Sequence, residues 1–263
     1  MKLKTDKVSP PATNAPTRQV PWIPLVGVIF IITMFYLAQV IGGSVVTGYY
    51  AAKGLSETEI VAALGSSVFA QFSFVLITQI VILYALYRFL KYYKTTFQRI
   101  GLVRPRWRDL WYGLSAVVPY YVLFFITAAV VTSLVPGFDV NQKQEIGFDN
   151  VQGFLPLGLT FLILVILQPI IEEIVVRGFI YDSLKKGLPI VLAVIGTSLL
   201  FAAAHLPAGG ATGPLYIAAV DTFLLSLFLI YLREKTGSLW ASITLHSFKN
   251  GVAFLALFIF KVA

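Results

Sequence analysis

The chain contains no cysteine among its 263 residues. Disulfides, thiolate nucleophiles and metal sites built on cysteine are therefore excluded. The same absence removes any indication of the redox compartment. Any chemistry that the protein performs must rely on other groups, and its 12 acidic residues and two histidines are the obvious candidates.

Charge is also scarce. Charged residues make up 12% of the chain and hydrophobic residues 58%, with a mean hydropathy of +0.83. Because a soluble domain carries about 25% charged residues, this composition predicts a protein that faces lipid. The net charge of +8 does not indicate a nucleic-acid partner, since the basic residues lie in short loops beside apolar runs. That placement indicates membrane topology and contact with anionic lipid, so we expect a lipid bilayer as partner and no nucleic acid.

Long apolar runs predict an all-α polytopic membrane protein. A helix needs about 20 residues to cross the hydrocarbon core, and the sequence predicts a bundle of about seven (seven to eight) transmembrane helices. Residues 1–21 are polar and proline-rich, which predicts a disordered cytoplasmic tail before a single transmembrane domain, 22–263. The expected spans lie at about 22–46, 69–90, 110–135, 154–183, 188–205, 214–232 and 239–259.

Local signals refine this prediction. Pro119 lies inside the third span and predicts a kink. Pro169 lies just before a pair of glutamates in the fourth span and predicts a bend that frees backbone groups there. Between the first two spans, Ser56 and Glu59 form a capping-box pattern that predicts a small surface helix at about 55–64. Tryptophans near the span ends predict anchoring at the membrane interface: Trp22, Trp107, Trp111 and Trp240.

Basic loops alternate with acidic or uncharged loops along the chain. The positive-inside rule converts this alternation into a topology with the N-terminus in the cytoplasm and the C-terminus outside. The short chain is typical of a multi-pass protein of a prokaryotic cell membrane. The basic segments are the N-terminal tail and loops 88–108, 185–186 and 233–235, and the others are loops 48–68, 136–153 and 206–213.

Ionisable side chains occur within the apolar runs of the C-terminal half. Such groups are costly at membrane depth unless they are paired or solvated, so they indicate functional sites. The fourth span carries Glu172, Glu173 and Arg177. On a helix, Glu173 and Arg177 share one face and form an acid–base pair. Glu172 points about 100° away from Glu173 and is free to face another group.

Both histidines of the chain lie on two further spans. Phe201 and His205 are one turn apart at the end of the fifth span, with small residues between them that allow close helix approach. His246 and Asn250 are one turn apart in the seventh span. With a rise of about 1.5 Å per residue, these groups and the glutamates lie at depths that agree within about 10 Å. Helix tilt or a bent fourth helix would bring them together.

Three motifs therefore follow one another on separate hydrophobic helices, E-E-x-x-x-R, F-x-x-x-H and H-x-x-x-N. In this arrangement the chain resembles the CPBP family, the CAAX-protease and bacteriocin-processing proteins, also called the Abi family, which includes the type II CAAX prenyl endopeptidases. The resemblance covers about 154–255, the motif-bearing core of the domain. It implies an intramembrane metalloprotease-like endopeptidase that hydrolyses a bond in a membrane-associated or prenylated-like peptide, or in a membrane protein.

The resemblance also implies roles for the motif residues. Glu172 and His205 activate a water that attacks the scissile carbonyl, and His246 and Asn250 hold the oxyanion. These groups suit such roles, because a desolvated carboxylate is a better base and N–H groups are good donors to a developing oxyanion. Phe201 is expected to pack and not to react.

Glu173 and Arg177 are expected to brace the site and to tune the charge at the glutamate pair. The cofactor to consider is zinc, because Glu172, His205 and His246 form a Glu-His-His set that suits catalytic zinc with an open position for water. The H-E-x-x-H signature of zincins is absent. A metal-free glutamate mechanism is the alternative, and the sequence leaves both open.

Two other classes of function also stay open. One is a catalytically inactive bacteriocin-immunity or scaffold membrane protein, although the intact motifs argue against lost catalysis. The other is a proton-coupled transporter, although the chain has none of the internal repeats of many transporters. Asp221 in the sixth span and Lys249 in the seventh either pair with each other or support the site from behind.

Overall fold

The computed structural model describes residues 20–142, 148, 151–207 and 213–261. The tail predicted at 1–21 lies outside these ranges apart from its last two residues. Nine helices cover most of the described chain: α1 (Pro24–Ala52), α2 (Glu57–Ser66), α3 (Val68–Tyr92), α4 (Trp107–Ser115), α5 (Val117–Leu134), α6 (Phe154–Gly187), α7 (Ile190–Ala203), α8 (Tyr216–Thr236) and α9 (Trp240–Phe260).

The described helices form a membrane bundle. Six segments are long and apolar enough to cross a bilayer, namely α1, α3, the α4–α5 pair, α6, α8 and α9, and the apolar helix α7 is shorter. Large apolar side chains cover much of the outer surface, for example Phe125, which is 64% exposed. A surface of this kind suits lipid and not water. The prediction of an all-α polytopic membrane protein with about seven spans is confirmed.

Two local predictions are confirmed as well. The third span breaks at Ala116, between α4 and α5, because Pro119 has no N–H to donate to the carbonyl one turn earlier. The surface helix α2 begins with the predicted capping box, in which the Ser56 hydroxyl and backbone N–H both lie 2.7 Å from Glu59 Oε2. The hydrogen bond from the Ser56 hydroxyl lowers the pKa of the Glu59 carboxyl, and the one from the Ser56 backbone N–H lowers it further.

The prediction of an interface anchor is wrong for Trp22. Its side chain is fully buried, its Nε1 donates to Ser183 Oγ at 2.7 Å, and its ring stacks on Phe179 with centroids 4.9 Å apart. Trp107 and Trp111 are 81% and 68% exposed, as an interface position requires. An aromatic residue at a span end can therefore serve the core, because its apolar ring fills space while its N–H finds an internal partner.

Several basic segments meet at one end of the bundle, here called the basic end, which comprises loop 93–106, the C-terminus of α6 and the α8–α9 connection. Lys185 Nζ lies 2.6 Å from Glu234 Oε2, and Arg233 Nη2 lies 3.5 Å from Asp182 Oδ2. The Leu239 N–H donates to the carbonyl of Gly101 at 2.9 Å. The segments that the charge pattern assigned to one side therefore do lie together, and the assignment of that side to the cytoplasm stays a prediction.

A close helix crossing fixes the position of α9. A Cβ atom added to Gly113 of α4 would lie 2.6 Å from the carbonyl oxygen of Ala241 and 2.5 Å from Thr244 Cβ in α9. Only a glycine allows this approach, because any larger residue would push the helices apart. The crossing sets the register of the helix that carries His246 and Asn250.

Candidate active site

The glutamate pair lies in an irregular part of α6. The helix passes from an α segment to a π segment at Leu162–Leu167, returns to α at Gln168–Glu173, and becomes π again at Ile174–Ile180. Each π segment widens the helix and turns the following side chains relative to a regular helix. Such segments are rare and often lie at functional sites.

Pro169 frees a backbone carbonyl at this point, as its position in the sequence predicts. In the first π segment the Gln168 N–H donates to the carbonyl of Ile163, five residues earlier. The next donor in this pattern would be residue 169, but proline has no N–H. The orphaned carbonyl of Leu164 accepts instead from Asn250 Nδ2 of α9 at 3.0 Å. Asn250 therefore connects two of the motif helices by a hydrogen bond.

Glu173 and Arg177 form the predicted ion pair. Arg177 Nη1 lies 2.9 Å from Glu173 Oε1, and both side chains are 0% exposed. The Arg177 guanidinium stacks on the ring of Phe201, with Cζ 4.1 Å from the centroid, which adds a cation–π contact. Phe201 thus packs, as expected, between the ion pair and the histidines.

His246 bridges the two glutamates, a contact that the spacing of the motifs does not reveal. Its Nδ1 lies 2.8 Å from Glu173 Oε1, and its Nε2 lies 3.6 Å from Glu172 Oε2. Because an ionised carboxylate can only accept, Nδ1 carries the hydrogen of this bond. In the neutral ring Nε2 is then an acceptor, and only the imidazolium form presents an N–H at Nε2.

Glu172 is only partly buried and lines a cavity. Its side chain is 23% exposed, and its Oε1 accepts a hydrogen bond of 2.8 Å from Gln168 Nε2, one turn earlier on α6. The i, i+4 spacing of Gln168 and Glu172 is the signal that would have found this partner. One carboxylate oxygen is thus held in place, and the other faces His246.

His205 lies beyond the end of its helix, which corrects the predicted span of 188–205. The helix α7 ends at Ala203, and the chain turns so that the His205 N–H donates to the carbonyl of Ala202. With 14 residues, α7 is about 21 Å long, which is shorter than a hydrocarbon core of about 30 Å, so His205 lies at membrane depth. Its Nδ1 lies 2.8 Å from the carbonyl oxygen of Phe201 and donates to it, which leaves Nε2 as an acceptor in the neutral ring.

The site residues line one cavity of about 340 Å³. Glu172, His205, His246 and Asn250 all line it, so the predicted convergence of the three motifs is confirmed as geometry. Glu173 and Arg177 lie behind the wall that these residues form. The rest of the lining is mainly apolar and includes Leu164, Phe254 and Phe258.

A second ion pair lines the same cavity. Lys249 Nζ of α9 lies 2.8 Å from Asp221 Oδ2 of α8, so the predicted pairing of these residues is confirmed. The Tyr120 hydroxyl of α5 donates to the other oxygen of Asp221, a contact with no sequence signal. Asp221 and Lys249 therefore form a polar wall of the cavity.

The donor set for zinc is incomplete. Across the described ranges, no three His, Asp or Glu side chains come together in a group that could hold a metal ion. Glu172 and His246 lie close to each other, but His205 does not complete a ligand set with them. The zinc site expected from the sequence therefore stays a prediction.

These features define a class of protein, a polytopic helical membrane protein with a carboxylate–histidine site enclosed by its helices. Residues 154–252 match the family model described as type II CAAX prenyl endopeptidase Rce1-like. The match covers little more than a third of the chain, includes the three motifs, and confirms the resemblance to the CAAX-protease family. Searches of curated proteins and of solved structures gave no match.

Proposed function

We propose that the protein is an intramembrane endopeptidase of the CAAX-protease type. The observation that carries the proposal is the convergence of Glu172, His205, His246 and Asn250 on one cavity inside the bundle. The Rce1-like family, whose model matches the segment that contains these residues, is a protease family, which supports hydrolysis as the reaction.

The two acceptors in the cavity suit the activation of water. Glu172 takes a proton from the water, and His205 Nε2 accepts the second hydrogen and orients the water. The resulting hydroxide attacks the carbonyl carbon of the scissile bond, and the carbonyl electron pair moves to its oxygen. Glu172 then returns the proton to the amide nitrogen as the carbon–nitrogen bond breaks.

The oxyanion needs donors on the other side of the carbonyl. Asn250 uses one N–H of its amide on the Leu164 carbonyl and has a second N–H for the oxyanion. His246 can donate from Nε2 when its ring is the imidazolium, in which both ring nitrogens carry a hydrogen. The buried Glu173–Arg177 pair fixes the orientation of His246 and so supports the site from behind.

The substrate class follows from the position of the cavity. A cavity enclosed by membrane helices and lined by both apolar and polar side chains suits a peptide that enters from the bilayer. A prenylated CAAX peptide is the substrate that the name of the matching family suggests. A short membrane peptide or a segment of a membrane protein without a lipid group is the other candidate.

Cleavage of a membrane-peptide library by the purified protein tests the proposal. We expect the wild type to cleave at least one peptide, whereas Glu172→Ala and His205→Ala abolish the products seen by mass spectrometry. Glu57→Ala, on the exposed surface of α2, is the control variant and keeps full activity. Cleavage that survives both site substitutions contradicts the assigned site. A wild type that cleaves no peptide favours a scaffold or a transporter.

A further inference from the structure

The donors assigned to the oxyanion are largely committed to other partners. His246 Nδ1 is bonded to Glu173, and its Nε2 offers an N–H only when the ring is charged, with Glu172 Oε2 as its nearest carboxylate oxygen. Asn250 retains a single N–H once the Leu164 carbonyl is satisfied. An oxyanion site works with preorganised donors aimed at the developing charge, so another donor in this cavity would strengthen it.

Lys249 is a cation in the wall of the same cavity. It lies on α9 between the two residues of the third motif, three residues after His246 and directly before Asn250. Its side chain is only 22% exposed and carries three N–H donors, of which Asp221 Oδ2 occupies one at 2.8 Å. Two N–H donors therefore remain for a group inside the cavity, on a cation that is already paired with Asp221.

We propose that Lys249 is a further catalytic residue that stabilises the oxyanion of the tetrahedral intermediate. This inference rests on the proposed function. When hydroxide adds to the scissile carbonyl carbon, the carbonyl electron pair becomes a negative charge on oxygen. The Lys249 ammonium donates a hydrogen bond to this oxygen and keeps its own protons. When the intermediate collapses, the electron pair returns to re-form the carbonyl, the carbon–nitrogen bond breaks, and the nitrogen takes the proton held by Glu172 and leaves as the amine product.

Asp221 and Tyr120 are positioning residues for this cation. A free lysine side chain has many rotamers, and fixing one of them before the reaction removes an entropic cost from the step itself. Asp221 holds Nζ on one side, and the Tyr120 hydroxyl holds the second oxygen of Asp221. The network joins α5, α8 and α9, so the cation is held by three helices.

The charges of Lys249 and Asp221 have to be removed together, because removing one of them leaves the other unpaired. Asp221 is 15% exposed, and removal of Lys249 alone would leave its carboxylate without a cation in the membrane interior. Lys249→Met combined with Asp221→Asn removes both charges and keeps similar side-chain volumes. This double variant separates loss of catalysis from loss of folding.

Steady-state kinetics on the peptide that the wild type cleaves best provide the test. We expect Lys249→Met and the Lys249→Met/Asp221→Asn double variant to lower kcat by about 10²–10³-fold, the loss typical of one oxyanion donor, with KM changed by less than about threefold. Lys249→Arg keeps a charged donor and should restore kcat to within about tenfold of the wild type. A purely structural lysine would give no such rescue pattern, because the neutral double variant would then regain activity.

A peptide aldehyde of the same sequence gives a second readout, because its hydrate mimics the tetrahedral intermediate. Its inhibition constant should rise in Lys249→Met in proportion to the loss of kcat/KM. A double variant with wild-type kcat, in a preparation where Glu172→Ala is inactive, overturns the role of Lys249 and leaves the proposed function intact. A wild type that cleaves no peptide overturns the proposed function itself.

Discussion

Glu173 is the residue on which the buried polar contacts of the site converge. Its Oε1 accepts from both Arg177 Nη1 and His246 Nδ1, and none of its surface is exposed. The charge of Arg177 balances that of Glu173, and the carboxylate in turn fixes which nitrogen of His246 carries hydrogen. A buried carboxylate depends strongly on such partners, because its side chain has no contact with solvent.

Removal of Arg177 alone should therefore destabilise the protein strongly. We expect Arg177→Met to lower the free energy of unfolding by about 3–5 kcal/mol, since it leaves Glu173 without its cation. Denaturant unfolding in detergent micelles, followed by circular dichroism, measures this difference.

Two control variants decide whether the unpaired charge is the cause. The Glu173→Gln/Arg177→Met double variant removes both charges and should be less destabilised than Arg177→Met. Lys185→Met breaks a pair whose side chains are both 35% exposed, and it should cost less than about 1 kcal/mol. Equal losses in Arg177→Met and Lys185→Met would contradict the account.

At the scale of helices, Pro169 and Asn250 act as a unit. Proline removes the N–H that would close the π segment of α6, and the amide of Asn250 takes its place on the Leu164 carbonyl. The freed carbonyl near the glutamates and the attachment of α9 to α6 thus have one cause. Asn250 consequently has a structural role beside the one proposed for it in catalysis.

A double-mutant cycle on these two residues tests this coupling. Asn250→Ala leaves the Leu164 carbonyl unpaired and should lower the free energy of unfolding by about 1–3 kcal/mol. In a Pro169→Ala background the new N–H can satisfy that carbonyl, so the same substitution should cost measurably less. An equal cost of Asn250→Ala in both backgrounds would show that the two residues are independent.

Much of this arrangement could be predicted from the sequence, because it depends on local spacing. Apolar runs locate the helices, and the i, i+4 spacing pairs Glu173 with Arg177. Pro207 and the two glycines that follow indicate that α7 ends nearby, but they do not show that it ends as early as Ala203. The contact between His246 and Glu173 joins residues 73 positions apart, so it depends on tertiary packing that no local pattern encodes.

The whole molecule presents two ends of different character. The basic end gathers loop 93–106, the C-terminus of α6 and the α8–α9 connection, and the surface helix α2 lies in a loop that the charge pattern assigns to the opposite side. The positive-inside rule predicts that the basic end faces the cytoplasm. The active-site cavity would then be reached from within the bilayer between these ends.

The absence of cysteine makes this orientation directly testable. Gln98→Cys in loop 93–106 and Glu57→Cys on α2 each introduce the sole thiol of the chain at an exposed position. In intact cells, a membrane-impermeant maleimide should label the cysteine at 57 and not the one at 98. Permeabilised cells serve as the control, in which both should react. Labelling of position 98 alone in intact cells would reverse the proposed orientation.

The central claim is that Glu172 is the base of a peptide hydrolysis inside the bundle. The most direct measurement is the kcat of purified Glu172→Gln on the best-cleaved peptide, beside the wild type and the surface control Glu57→Gln. Because the amide cannot take a proton from water, we expect kcat to fall by about 10²–10⁴-fold. The kcat of the control variant and the unfolding midpoint of Glu172→Gln should stay at their wild-type values. A Glu172→Gln protein that retains kcat within about tenfold of the wild type would contradict the account.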